Sequence, residues 1–293
     1  MTTDKARALA EQIESSVNAL AQETDAVRKS QTFLNWLNAM AQFHSYSLNN
    51  QILILLQRPS ASRVAGFQAW RKMGRHVVKG AKGIAILAPC VYGKRADPEN
   101  DDSPTVKRLS GFKVVWVFAQ EDTDGEPLPA LTYAAAAGGE ELLPQLEAAA
   151  LKLSIQLDYE EIPEQGVQGY STGGRIVVRQ SLSTAAKCAV IVHEGAHEIL
   201  HWGDKRSEAK AKTRSQRELE AEATAYVVMR HFGIEHVASN YLATYNVDGE
   251  QLRDSLETIS GAAKQLIAAI EGDSQQTETA TDLVASLERE EAA

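Results

Sequence analysis

His193-Glu194-Gly195-Ala196-His197, followed by Glu218-Leu219-Glu220-Ala221-Glu222, is the stretch that decides how this chain is read. Residues four apart on a helix share a face, so His193 and His197 can present their imidazoles to one cation. Glu194 sits one position round from the first imidazole, where a carboxylate can act as base without joining the ligand set. The local sequence predicts a helix: Ser183 and Thr184 offer an N-cap, and 185–202 contains no proline, with Gly195 the one breaker. Gly195 costs that helix about 1 kcal/mol. A second helix over 217–230, stopped near Phe232-Gly233, puts Glu218, Ala221, Glu222 and Ala225 on one face. Glu218 is the expected third ligand and Glu222 the carboxylate that orients a ligand imidazole. Small residues at 221 and 225 let the two helices approach. Glu220 points roughly 200° away from Glu218, and His201 lies about 12 Å along the axis from His193, so neither shares the ion. His201, His231 and His236 read as surface or packing residues. The expected cofactor is Zn2+, with another divalent metal as a substitute.

The chain has 293 residues, 44% of them hydrophobic and 24% charged, ordinary values for a globular protein with room for two cores. No apolar run is long enough to span a bilayer, and 1–7 lacks the layout of a signal peptide, which predicts a cytoplasmic protein with no membrane partner. Cys90 and Cys188 have no metal-type or redox spacing and read as packed apolar residues.

The net charge of −9 hides an asymmetry: 26–96 contains no Asp or Glu but 11 Lys and Arg, leaving −20 on the rest. Exclusion of acid over so long a segment points to a polyanionic partner. Single-stranded nucleic acid needs cations for phosphates and aromatic faces for unstacked bases. Phe43, Tyr46, Phe67 and Trp70 interleave with Arg58, Arg63, Arg71, Lys72, Arg75, Lys79 and Lys82, and Asn49 and Asn50 can address sugar or base edges. Any single one of these rings reads more readily as core, because the charge asymmetry predicts a surface without naming which rings line it.

Along the chain, 1–40 predicts one or two amphipathic helices, and 51–57 an apolar helix stopped by Pro59. Strands are expected over 84–92 and 112–120, with a flexible hairpin insert at 93–110 between them. An acidic, turn-rich linker follows at 121–129. Then come a helix at 139–152, strands at 153–160 and 175–179, the two metal helices, and a helix at 248–272. Residues 273–293 have the composition of a flexible acidic tail.

The run Phe43-His44-Ser45-Tyr46-Ser47-Leu48-Asn49-Asn50-Gln51, with Gly66-Phe67-x-x-Trp70 and Gly74-Arg75-x-Val77-x-Lys79-Gly80-x-Lys82-Gly83-Ile84, resembles the N-terminal single-stranded-DNA-binding domain of ArdC-type antirestriction proteins. Residues 140–245 are similar to the zincin-like domain that follows in that family, related to ImmA/IrrE metallopeptidases. The resemblance implies an α+β architecture: an α+β DNA-binding domain at 1–125, then a minimal zincin-like domain at 126–272 with a small sheet packed on the H-E-x-x-H helix. It implies the metal set His193, His197 and Glu218 with Glu194 as base. The DNA contacts expected within the basic, aromatic segment are Tyr46, Asn49, Asn50, Trp70, Arg71, Arg75, Lys79 and Lys82. The expected partners are single-stranded DNA and a protein or peptide substrate. Two other functions fit the same motifs: a regulatory metalloprotease that cuts a DNA-bound repressor, and a DNA-binding protein whose metal is structural.

Overall fold

The computed structural model describes residues 2–23, 26–95, 105–126, 139–203, 207, 211–234 and 248–272. The tip of the expected hairpin insert (96–104), His236 and the tail from 273 lie outside them. The described residues form mixed helices and small sheets, in two compact units: 2–16 with 49–126, and 17–48 with 139–272. Residues 17–48 belong to the second of these units. The reason is local. Helix α2 (Ala26–Gln42) buries Phe33, Trp36, Leu37 and Met40, and its Asn38 accepts a hydrogen bond from Tyr226 at 2.9 Å. Helix α1 is Thr2–Gln22.

In the first unit, α3 (Leu48–Gln57), β1 (Val64–Ala65), α4 (Phe67–Lys72) and β2 (Arg75–Val77) lead into two long strands, β3 (Ile84–Arg95) and β4 (Thr105–Ala119). The strands pair antiparallel from Ile84↔Val117 out to Arg95↔Thr105, with a bulge at Cys90/Val91. Pairing therefore runs well into the segment expected to be a loose insert, since the ladder satisfies backbone groups that a loop would leave to water. The sheet order is β1-β4-β3, and β2 pairs with β5 (Thr123–Gly125).

Strand β3 is an edge, and α3 closes part of it. Asn50 donates to Leu87 O and accepts from Leu87 N–H, both at 2.9 Å. Gln57, two turns on, does the same for Ala85 at 2.8 and 2.9 Å. Each amide takes the place of a neighbouring strand at the row of outward backbone groups.

In the second unit, α5 (Leu142–Lys152) is followed by β6 (Gln156–Glu160), β7 (Gly169–Ser171) and β8 (Arg175–Arg179). The expected strand at 153 starts later because Ser154 turns the chain with a φ of 58°. β6 pairs parallel and β7 antiparallel to the central β8. Helix α6 (Thr184–His201) packs on β7 and β8, and α7 (Arg214–His231) packs on α6, α2 and α8 (Gly249–Glu271). Ser183 caps α6, as its sequence predicts, while α7 starts earlier than expected on a Thr213–Gln216 capping box. None of the described helices is long and apolar enough to cross a membrane.

Candidate metal centre and nucleic-acid interface

Helix phase brings His193 and His197 side by side on α6, and α7 lays Glu218 across them. The Nε2 atoms of the two histidines are 3.2 Å apart, and Glu218 Oε2 lies 3.7 Å from the first and 3.6 Å from the second. Bonds of about 2.0–2.1 Å to a tetrahedral ion require ligand atoms roughly 3.3 Å apart. The triangle fits a divalent cation of that size, and the three residues form a group able to hold one.

Each imidazole is oriented from behind. His193 Nδ1 is 3.1 Å from Glu222 Oε2, so its proton sits there and Nε2 faces the triangle. His197 Nδ1 is 2.8 Å from His201 Nδ1, which plays the same part. Burial first, then the neighbouring His193, His201 and Arg217, push the His197 pKa down to about 3, which keeps it neutral and able to ligate. For His193 burial opposes the proton, but the Glu222 hydrogen bond and the nearby carboxylates of Glu194, Glu222 and Glu218 outweigh it and raise the pKa.

Behind His201 lies Glu220, fully buried. Its Oε1 accepts from Lys212 Nζ at 2.7 Å and from Ser255 Oγ at 3.1 Å, and its Oε2 faces His201 Nε2 at 3.6 Å. Sequence spacing excluded His201 and Glu220 from the ion, and neither belongs to the triangle; yet both stand directly behind it, a role that helix phase alone did not reveal. Burial works to raise the Glu220 pKa, but the adjoining His201 and Lys212 outweigh it and hold the carboxyl below its usual value. The stability it contributes is therefore complete at neutral pH and is lost only as pH falls through that depressed value. Replacing Glu220 by Ala leaves Lys212 and His201 facing a buried gap. Denaturant unfolding at pH 7 should show a loss of about 3 kcal/mol, and an unchanged midpoint would remove Glu220 from this account.

Glu194 lines the same cleft, of about 500 Å³, with Gly169, Tyr170, Ser171, Arg214 and Arg217. Burial raises its pKa, against a hydrogen bond from the Ser171 side chain and the attraction of His193. Ser171 comes from β7, which the sequence analysis missed. That edge strand sits close on α6 because residue 169 is glycine: a Cβ there would lie 2.4 Å from Val190 Cγ1. Glu198, on α6, holds the hairpin from below by accepting the Gly173 and Gly174 N–H groups at 2.8 and 2.6 Å. Gly195 is not sterically required; its nearest outside neighbour for a Cβ is Leu266 at 3.6 Å.

The residues expected to touch DNA are dispersed. Trp70 is 1% exposed and donates its indole N–H to Phe118 O at 2.9 Å, so it is a core residue and not a stacking surface. Asn50 is consumed in sealing β3. Arg75 grips the β5 turn, donating to Thr123 Oγ1, Thr123 O and Glu126 O at 2.6–2.9 Å. Arg58 pairs with Asp122. Phe43 is buried in the second unit, to which the half-buried Tyr46 also belongs. Asn49 is half-buried; Arg71, Lys79 and Lys82 are exposed.

A different aromatic set is exposed. Phe112 and Trp116 alternate with buried Val115 and Val117 on β4, at 51% and 50% exposure. Phe118 continues their face and meets Phe67, 44% exposed, edge to face with ring centres 6.4 Å apart. Gly83 lies under Trp116 and Phe118, so the Lys79–Lys82 turn borders this face. The alternation was readable in 112–118, but both faces are apolar and the sequence alone did not say which is covered.

Residues 4–124 match the family model of the N-terminal domain of the anti-restriction factor ArdC. Residues 150–260 match that of the IrrE N-terminal-like domain of the M78 peptidases. Two separate parts of the chain thus resemble two known domains. The first matched range holds the aromatic face, and the second holds His193, Glu194, His197 and Glu218. An uncharacterized protein of Bacillus anthracis is 26% identical over 267 residues, 77% of this chain; the chain spans 45% of that relative's length. The metal-free crystal structure of the antirestriction ArdC protein from the R388 plasmid matches with 17% identity and a TM-score of 0.46, over 82% of this chain and 86% of that one. Its Mn(II)-bound structure matches with 19% identity and a TM-score of 0.42, over 78% and 90%.

Proposed function

We propose that this is a single-stranded-DNA-binding protein of the antirestriction type whose IrrE-like domain is a divalent-metal-dependent peptidase. The observation that carries the peptidase reading is the His193–His197–Glu218 triangle with a half-buried carboxylate outside it, Glu194, beside it in an open cleft. A structural metal has no use for that fourth group, and a fully closed site would leave no room for substrate. A cation held by the three ligands would polarise a peptide carbonyl and acidify water. Glu194 would take the proton from the attacking water and hand it to the leaving amine. Burial keeps the carboxyl basic enough for that exchange, and Ser171 holds it in place. Glu222 and His201 keep the ligand imidazoles turned the right way. Zinc or manganese are both suitable probes of the site.

The DNA reading rests on the exposed Phe67–Phe112–Trp116 face, to which the acid-free segment 26–96 contributes Phe67 and the bordering lysines. Rings of this kind offer stacking surface to any base, and the bordering Lys79 and Lys82 suit a phosphate backbone.

The test of the metal reading is metal affinity against pH. Zn(II) competes with the proton on His193, so its dissociation constant should weaken by roughly tenfold per pH unit below the raised His193 pKa. His193→Ala should abolish binding at this site. A dissociation constant that does not move between pH 8 and pH 5.5, or tight zinc in the Ala variant at this site, would remove the assignment.

A further inference from the structure

His44, from the Phe43–Asn50 block, has no place in either half of that proposal. It lies two residues beyond the end of α2, in the second unit, beside His231 and Glu271. His231 is the last residue of α7 and Glu271 the last of α8. One ring nitrogen from each histidine and a carboxylate oxygen of Glu271 all lie within 4.8 Å of one another. We propose that His44, His231 and Glu271 form a second divalent-cation site, separate from the cleft, that ties the ends of α2, α7 and α8 together.

Four observations carry this. First, His231 Nδ1 lies 3.0 Å from Ala41 O, which accepts its proton and leaves Nε2 as the lone-pair nitrogen, 3.0 Å from Glu271 Oε1. A lone pair facing a carboxylate at that distance requires a positive charge between them, either an extra proton or a metal ion. A backbone carbonyl holding the far nitrogen is also the usual support for a metal-bound imidazole. Second, His44 Nδ1 is buried and makes no hydrogen bond, although its ring stands edge-on to His231 with centres 4.4 Å apart. Third, burial and then His231 push the His44 pKa down to about 4, outweighing Glu271 and the Ala41 backbone, so the ring stays in the neutral form that can ligate. Fourth, three helices end here. The helix dipole gives each C-terminus a partial negative charge, and three such ends around one point favour a cation. Lys264, held on Ser45 O at 3.3 Å, opposes that field, so this site binds more weakly than the cleft.

The site is tested by equilibrium dialysis of the full chain against saturating Zn(II), with bound zinc counted by elemental analysis. The wild type should hold one ion more than either His231→Ala or Glu271→Gln. A His193→Ala/His197→Ala variant should keep that ion, and Glu271→Gln added to it should remove it. Zinc should also raise the thermal midpoint of the His193→Ala/His197→Ala chain but not of the same chain carrying Glu271→Gln. If His231→Ala does not fold, Glu271→Gln and His44→Gln give the same count, since both keep side-chain volume. Equal zinc in wild type and Glu271→Gln, or none in the chain without His193 and His197, would overturn the proposal and leave the cluster as a protonated His231–Glu271 pair. Neither outcome bears on the cleft.

Discussion

Glu194→Gln is expected to retain the metal and to lower peptide hydrolysis by about 10²–10⁴-fold, the range for loss of a general base. Gln keeps the volume and can still hydrogen-bond to Ser171, but it cannot accept a proton at neutral pH. The carboxylate is not part of the ligand triangle, so its loss should leave the metal-to-protein ratio where it was. This separates it from His193→Ala, which should lose metal and activity together. The pH profile gives a second reading. Burial raises the Glu194 pKa, so activity should fall on the acid side at a pH above the ordinary carboxylate range. In this variant a profile of residual activity without that limb is expected. A Gln variant that cleaves at the wild-type rate would exclude Glu194 as the base.

Replacing Phe67, Phe112 and Trp116 together by Ala is expected to weaken single-stranded oligonucleotide binding by at least about 10²-fold. Each stacked ring contributes ~1–3 kcal/mol by alanine substitution, and 1.4 kcal/mol is tenfold in affinity. The three rings are already about half exposed, so the variant should remain folded. Trp70→Ala is the contrast: it empties a core position and should cost about 3–5 kcal/mol of stability, with any loss of binding following from unfolding. Charge reversal at Lys79 and Lys82 should act differently again, reducing the steepness of the salt dependence by roughly two phosphate contacts. A folded triple variant that binds as the wild type does would place the strand elsewhere on the protein.

The contrast between Trp70 and Trp116 marks where the sequence stops being informative. Both are tryptophans close to the same basic run, and neither composition nor charge distinguishes a ring in the core from one on a face. That decision belongs to packing between elements distant in the chain: Trp70 goes under because Phe118 O accepts its indole proton. The metal triangle was legible for the opposite reason. His193 and His197 are set by one helix repeat, and Glu218 and Glu222 by another, so local periodicity does most of the work. His201 and Glu220 sit in the same two helices but acquire their roles from Lys212 and Ser255, whose proximity no period encodes. Strand β7 was invisible because three residues are too few to display alternation. Its one sequence signal, Gly169, has meaning only once Val190 is seen against it.

The amides of Asn50 and Gln57 have a consequence for how copies of this protein would behave side by side. On the proposed function, a strand of DNA occupied along its length would bring many identical chains to high local concentration, each carrying an apolar sheet with an edge strand. Such edges are where proteins zip into insoluble ribbons. With the backbone groups of Ala85 and Leu87 already engaged from within, crowding on a polymer need not become self-association. Asn50→Leu or Gln57→Leu would be felt first as lost solubility.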